Sequence, residues 1–218
     1  LVSPNPTPPS TQNRAPTVES NKTVAMDEDS SDIELNITKP TDADGDTLTI
    51  TIDSIPNGGV LKTSNGDIVS SDTELTIDQL TGLTFTPDSN LNDDSTDFGE
   101  FTYTVSDGSL TSSSTVTISV LSVNDAPTAV ILDSINLIEG SSGQIVGTIT
   151  VQDPDNDSGF TFNISGTDAN NFEIITGSGG IPTLKLKDGI SANFESQSSY
   201  SITITAVDPD GLSISSDI

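Results

Sequence analysis

Two short acidic runs, DADGD at 42–46 and DPDND at 153–157, place carboxylates at every second residue. Such arrays offer hard oxygen ligands, and a cation such as Ca²⁺ takes about 6 to 8 of them. Neither run is a self-contained loop site. An EF-hand starting at Asp42 would need Gly at 47 and Glu at 53, where the chain has Thr47 and Asp53. One starting at Asp153 meets Ser158 and Ile164 instead. The glycine-rich nonapeptide of calcium-binding β-rolls does not occur in the sequence either. Ligands for a complete site would have to converge from several loops.

Composition narrows the chemistry further. The 218 residues include no Cys and no His, which removes disulfides, thiolate zinc sites, imidazole bases and Ser-His-Asp triads together. Paired carboxylates could in principle cleave a glycoside, but that needs a lined, desolvated cleft. A chain with no Trp and 4% aromatic residues is poorly equipped to line one, so no enzyme is expected. Asp and Glu number 33 against six Lys and Arg, a formal charge of −27. Nucleic acid and anionic membranes demand a basic face, so neither is an expected partner. No run approaches the roughly 18 apolar residues of a membrane span, and LVSPNPTPPS lacks the basic start and apolar core of a signal peptide. The sequence therefore reads as soluble, without direct membrane insertion, and either mature or cut from a longer parent.

The elements that must position these acids are strands. In TLTITID, Leu48, Ile50 and Ile52 share one face; in FTYTV, Phe101, Tyr103 and Val105 do. TVTISV repeats the scheme with Val116, Ile118 and Val120. QIVGTITV places Ile145, Ile149 and Val151 together, and YSITITAV places Tyr200, Ile202, Ile204 and Ala206. Thr recurs on the outward faces, and no segment sustains a 3.6-residue period, so almost no helix is predicted. Asn65-Gly66 between GGVLKT and IVS predicts a two-residue hairpin. Strands recurring every ~8 to 12 residues indicate sandwiches, and each immunoglobulin-like sandwich needs about 100 residues.

Repetition divides the chain. NRAPTV at 13–18 returns as NDAPTA at 124–129, 111 residues later. YTVSDG at 103–108 is matched by TAVDPDG at 205–211, so acids recur at strand ends. Residues 1–14, with four prolines, read as an extended arm or linker. The expected architecture is all-β, with two tandem immunoglobulin-like (cadherin-like) sandwiches at 15–126 and 127–218. The second is expected to be C-terminally truncated, because the first continues about 18 residues beyond its SDG and the second stops seven after Gly211.

VNDAP at 123–127, the D-x-D of each unit and NFESQSSYSITITAVDPDG at 193–211 resemble the cadherin superfamily, specifically the cadherin-like tandem repeats of large bacterial surface proteins. The likeness covers roughly residues 15–218. It implies calcium, held in the second unit by Asp153, Asp155 and Asp208, with Asp157 joining them. It places Glu139 and Glu195 at that unit's other end. In the first unit it implies Glu28, Asp42, Asp44, Asp46 and Asp107, with Asp97 in the place of the D-x-E motif. A middle joint would gather Glu28, Asp97, Asn124, Asp125, Asp153, Asp155 and Asp208. The top of the first unit and the bottom of the second would remain incomplete half-sites. The sequence departs from the family linker D-x-N-D-N at Ser122 and Ala126, and from D-x-E at Asn193, so fewer or weaker ions are implied. Arg14 stands where an Asp would sit upstream.

Single Asp residues beside Gly or Pro are also ordinary turn formers. Asp72, Asp78, Asp88, Asp93, Asp94 and Glu100 read as solvated surface charge, and the sequons at Asn21, Asn36 and Asn163 decide nothing. Taken with the resemblance, the expected function is a calcium-rigidified spacer or adhesion segment of a large, membrane-associated bacterial adhesin or secreted protein, outside the cell or on its surface. Further copies of similar repeats in the parent chain are the expected partners, with self-association, cell-surface carbohydrate or protein beyond them. The alternatives are a subunit of a secreted filament or fibre, and a module that binds carbohydrate or protein directly. The latter needs an exposed apolar patch, which the sequence does not reveal.

Overall fold

A computed structural model describes residues 12–89, 97–155 and 158–218. The chain is nearly all β and divides into two compact units, one ending at Val123 and the other running Asn124–Ile218.

The first unit contains β1 (Lys22–Asp27), β2 (Ile33–Glu34), β3 (Thr49–Ile52), β4 (Gly59–Lys62), β5 (Glu74–Leu75), β6 (Thr84–Pro87), β7 (Asp97–Ser106) and β8 (Thr111–Leu121). They form a five-stranded sheet, β1-β8-β7-β3-β5, and a three-stranded sheet, β2-β6-β4. The period-two pattern sets which side chains meet. Ile50, Ile52, Phe101, Tyr103, Val105, Val116, Ile118 and Val120 are all buried from the larger sheet, and Leu61 and Phe85 from the smaller. β1 closes the edge by running parallel to β8, from Lys22 opposite Val116 to Asp27 opposite Leu121.

One turn of helix interrupts the strands, α1 at Ile77–Thr81. Its start is a reciprocal cap: the Gln79 N–H donates to Thr76 Oγ1 at 3.2 Å, and the Thr76 N–H donates to Gln79 Oε1 at 2.9 Å. The hairpin at SNGD forms with a three-residue loop rather than the expected two. Thr63 N–H donates to Asp67 O at 2.9 Å and Gly66 N–H to Thr63 O at 2.9 Å, with Gly66 in the left-handed region at φ 86°. A turn closed by a left-handed glycine absorbs the additional residue.

Close packing of β4 against β6 within the smaller sheet leaves no room at Gly59. A Cβ there would overlap the Phe85 ring and the Thr86 carbonyl, one of them buried core and the other backbone. Gly59→Ala should therefore destabilise the first unit by about 1–3 kcal/mol, the usual cost of overpacking. A chemical-denaturation midpoint equal to that of the parent would contradict this packing.

The second unit contains β9 (Ala129–Leu132), β10 (Ile145–Gln152), β11 (Thr161–Ser165), β12 (Phe172–Thr176), β13 (Pro182–Leu186), β14 (Thr203–Val207) and β15 (Ser213–Asp217). Its sheets are β12-β13-β10-β9 and β11-β14-β15. Val130, Val146, Ile149, Phe172, Leu184, Leu186, Ile202, Ile204 and Ala206 make a core separate from that of the first unit. The expected placement of Ile145 beside Ile149 is overturned. The pairing of β10 with β13 shifts between Ile145 and Gly147, so Ile145 is 59% exposed and Val146 takes the buried position. One additional residue in a strand reverses the face of everything before it.

Candidate metal centre

The acids sit where strands end. Asp153 follows β10, and its Oδ1 accepts the Asp155 N–H at 2.9 Å, closing an Asx turn around Pro154. Asp208 follows β14, and its Oδ1 accepts N–H bonds from Asp210, Gly211 and Leu212 at 2.9, 2.6 and 2.9 Å. These turns fix both carboxylates against their own backbone while leaving other oxygens to converge.

The start of the second unit is tied to those oxygens. Asn124 Nδ2 donates to Asp208 Oδ2 at 3.0 Å, and the Asp125 N–H donates to Asp155 Oδ2 at 2.6 Å. The Asp125 and Asp155 carboxylates each bring an oxygen within 4.8 Å of the other. Burial pushes the Asp208 carboxyl up, but the donors from Asn124, Leu212, Gly211 and Asp210 outweigh it and hold the group below the usual carboxylate range. Asp208 is thus ionised at neutral pH although it is 4% exposed. Asp153 Oδ2 is buried and accepts no hydrogen bond from the protein. A buried, unsatisfied carboxylate oxygen among other acids is costly without a counter-charge, and a hard cation supplies one. The donor set therefore fits Ca²⁺.

The first unit repeats this frame. Asn13 Nδ2 donates to Asp107 Oδ2 at 2.9 Å, and the Arg14 N–H donates to Asp44 Oδ2 at 2.8 Å. Asp42 Oδ1 accepts the N–H groups of Asp44 and Asp46 at 2.8 and 3.1 Å, and Asp42 Oδ2 is buried without a hydrogen bond. Asp107 Oδ1 accepts from Ser109 and Leu110, each at 2.7 Å. Those two amides hold the Asp107 carboxyl below its ordinary range, with burial opposing and Asn13 assisting. Asp42, Asp46 and Asp107 each offer an oxygen within 4.8 Å of the others. Asp44 instead faces the Arg14 guanidinium.

The remaining candidates separate. Glu28 is fully buried at the end of β1, and its Oε1 accepts the Val123 N–H at 2.8 Å. Glu139 and Glu195 lie beside one another at the end of the second unit opposite Asp153, both exposed. Hydrogen bonding with the Glu139 side chain, then its own N–H, draws the Glu195 carboxyl down. Asp97 contributes backbone to β7, but its side chain lies outside the described residues, as does all of Asp157. Asn13 is the participant that sequence reasoning passed over; the return of its NRAP segment as NDAP was the signal that could have found it.

The described residues also hold an apolar feature that the sequence did not reveal. Ile135, Ile138 and Phe194 are 70, 68 and 67% exposed. Beside them a cavity of about 340 Å³ is lined by Ile135, Leu137, Phe172, Phe194 and Tyr200. No described helix is long and apolar enough to cross a membrane.

Comparison with known proteins agrees with this architecture. Residues 13–119 match the family model described as bacterial Ig domain. Among solved structures, protocadherin gamma B7 extracellular cadherin domains 1–4 align at 23% identity and a TM-score of 0.60, covering 94% of this chain and 48% of that one. The protocadherin gammaB7 EC3-6 cis-dimer structure aligns at 25% identity and a TM-score of 0.58, covering 94% and 47%. Human CDH23 EC21-23 aligns at 18% identity and 0.55, covering 94% and 68%. The chain thus spans about half the length of the first structures it matches. No curated protein sequence matches it.

Proposed function

We propose that Ca²⁺ stiffens this tandem of cadherin-like, Ig-like β-sandwich repeats, a design that fits an adhesion or spacer role. The observation that carries this reading is the frame at the start of the second unit. Asn124 and Asp125 are held by Asp208 and Asp155, while Val123, one residue earlier, is held by Glu28 of the first unit. Successive residues of one connecting segment are therefore anchored to different units. The ion would be held by carboxylates of Asp125, Asp153, Asp155 and Asp208. When bound it supplies positive charge that cancels their mutual repulsion.

This chain's own residues set the rest. Asx turns at Asp153 and Asp208 pre-arrange oxygens, and the Asn124 amide holds Asp208 ionised and oriented. Without a cation, the like charges of Asp125 and Asp155 push the connecting segment away from the second unit. With it, that segment becomes fixed. Extracellular modules bind Ca²⁺ with Kd of about 10⁻⁴ to 10⁻³ M, so such a site fills outside cells and empties in cytosol. The segment would serve a large bacterial surface or secreted protein, with no catalysis of its own.

Small-angle scattering tests the reading. Millimolar Ca²⁺ should lengthen the molecule and narrow its distribution of shapes, and unchanged curves would defeat it. A second reading, direct binding of protein or self-association, draws on the exposed Ile135, Ile138 and Phe194.

A further inference from the structure

The two acidic frames share the same two anchoring bonds and differ in charge at the residue after the asparagine. Asn13 and Asn124, Arg14 and Asp125, Asp42 and Asp153, and Asp44 and Asp155 each lie 111 residues apart. The asparagine bonds to Asp107 and Asp208 measure 2.9 and 3.0 Å, and the following N–H reaches Asp44 and Asp155 at 2.8 and 2.6 Å. At that next residue the first frame carries a guanidinium where the second carries a carboxylate. The Arg14 side chain folds onto its own frame: Nη2 donates to Asp44 Oδ1 at 2.7 Å and to Ala43 O at 2.7 Å, and Nε donates to Asp44 Oδ1 at 3.2 Å. The planar fork thus clamps both the carboxylate and the backbone of the 42–46 turn.

We infer that Arg14 is a built-in cation for the first unit's carboxylate frame, holding the 42–46 turn closed without metal and withholding Asp44 from any ion. The inference rests on the calcium reading for the second frame, which supplies its contrast. Both frames face the same problem, since each gathers several acidic side chains around a buried carboxylate oxygen that no protein donor reaches, Asp42 Oδ2 in one and Asp153 Oδ2 in the other. The first offsets it with the Arg14 side chain, from the segment that precedes β1, and the second carries the acid Asp125 at that position. One end of the first unit is then ordered permanently, while the start of the second unit orders on demand.

Two variants of the full chain test this separately from the calcium reading. In chelator, Arg14→Gln should speed hydrogen exchange at the Asp44 and Asp46 amides several-fold, with part of the protection restored by Mg²⁺ or Ca²⁺. Exchange equal to the parent's would overturn the inference whether or not the protein binds calcium elsewhere. Arg14→Asp, which copies the second frame, should add one equivalent of bound Ca²⁺ by calorimetry and make protection of the 42–46 turn calcium-dependent. An unchanged equivalent count in a protein whose 153–155 turn still responds to calcium would overturn it too. If neither turn responds, the calcium reading fails and the Arg14→Gln exchange decides the role of Arg14 alone.

Discussion

Truncating Phe101 to Ala should cost the first unit about 3–5 kcal/mol, the range for emptying a buried aromatic site. Phe101 is fully buried on β7 opposite Val116, with its ring 6.4 Å from that of Tyr103, so the cavity is walled by paired strands that cannot collapse into it. A domain of this size carries about 5–15 kcal/mol in total and loses about 4–8 °C of melting temperature per kcal/mol. The first unit's transition should fall by at least about 12 °C. The second unit's transition should hold, because its core shares no residue with this one. Ile68→Ala, at a side chain 74% exposed, is the control and should move either transition little. Equal effects of the two substitutions, seen by calorimetry, would contradict the assignment of the core.

Calcium should produce the second large effect. At 10 mM Ca²⁺ and a Kd of about 10⁻⁴ to 10⁻³ M, ligand linkage predicts about 1.4 to 2.7 kcal/mol of added stability. That corresponds to roughly 6 to 20 °C in the second unit's transition. Asp155→Asn keeps the acceptor for the Asp125 N–H but removes the charge, so its metal-free fold should survive while most of the calcium response disappears. Mg²⁺, which demands tight octahedral geometry and dehydrates reluctantly, should stabilise less at equal concentration. A variant responding as strongly as the parent would remove Asp155 from the site.

Much of the fold was legible where strands alternate without interruption. Phe101, Tyr103 and Val105 read as one face and are all buried, because period two needs only the local chain. Ile145 was misplaced because a bulge depends on how β10 pairs with a distant partner, Lys185 and Leu184 of β13, which no local pattern records. The hairpin at Asn65-Gly66 was correctly located, but its loop length follows from the pairing of Thr63 with Asp67. The exposed Ile135, Ile138 and Phe194 escaped notice because an apolar residue looks the same in sequence whether or not a neighbour covers it.

The acids divide in the same way. Asp42, Asp46 and Asp107 were gathered from separate motifs and do converge. Asp44, grouped with them by spacing, turns instead to Arg14, since a salt bridge between residues 30 apart is a tertiary fact. Glu28 was chosen by resemblance; its burial and its grip on Val123 came only with the fold.

The central claim is that calcium at the start of the second unit stiffens the tandem. It is tested most directly by small-angle scattering of the full chain in chelator and then in 5 mM Ca²⁺, beside Asp155→Asn. The account predicts a greater maximum dimension and a narrower distribution for the parent with calcium, and the metal-free curve under both conditions for the variant. Superimposable curves for the parent with and without calcium would contradict it.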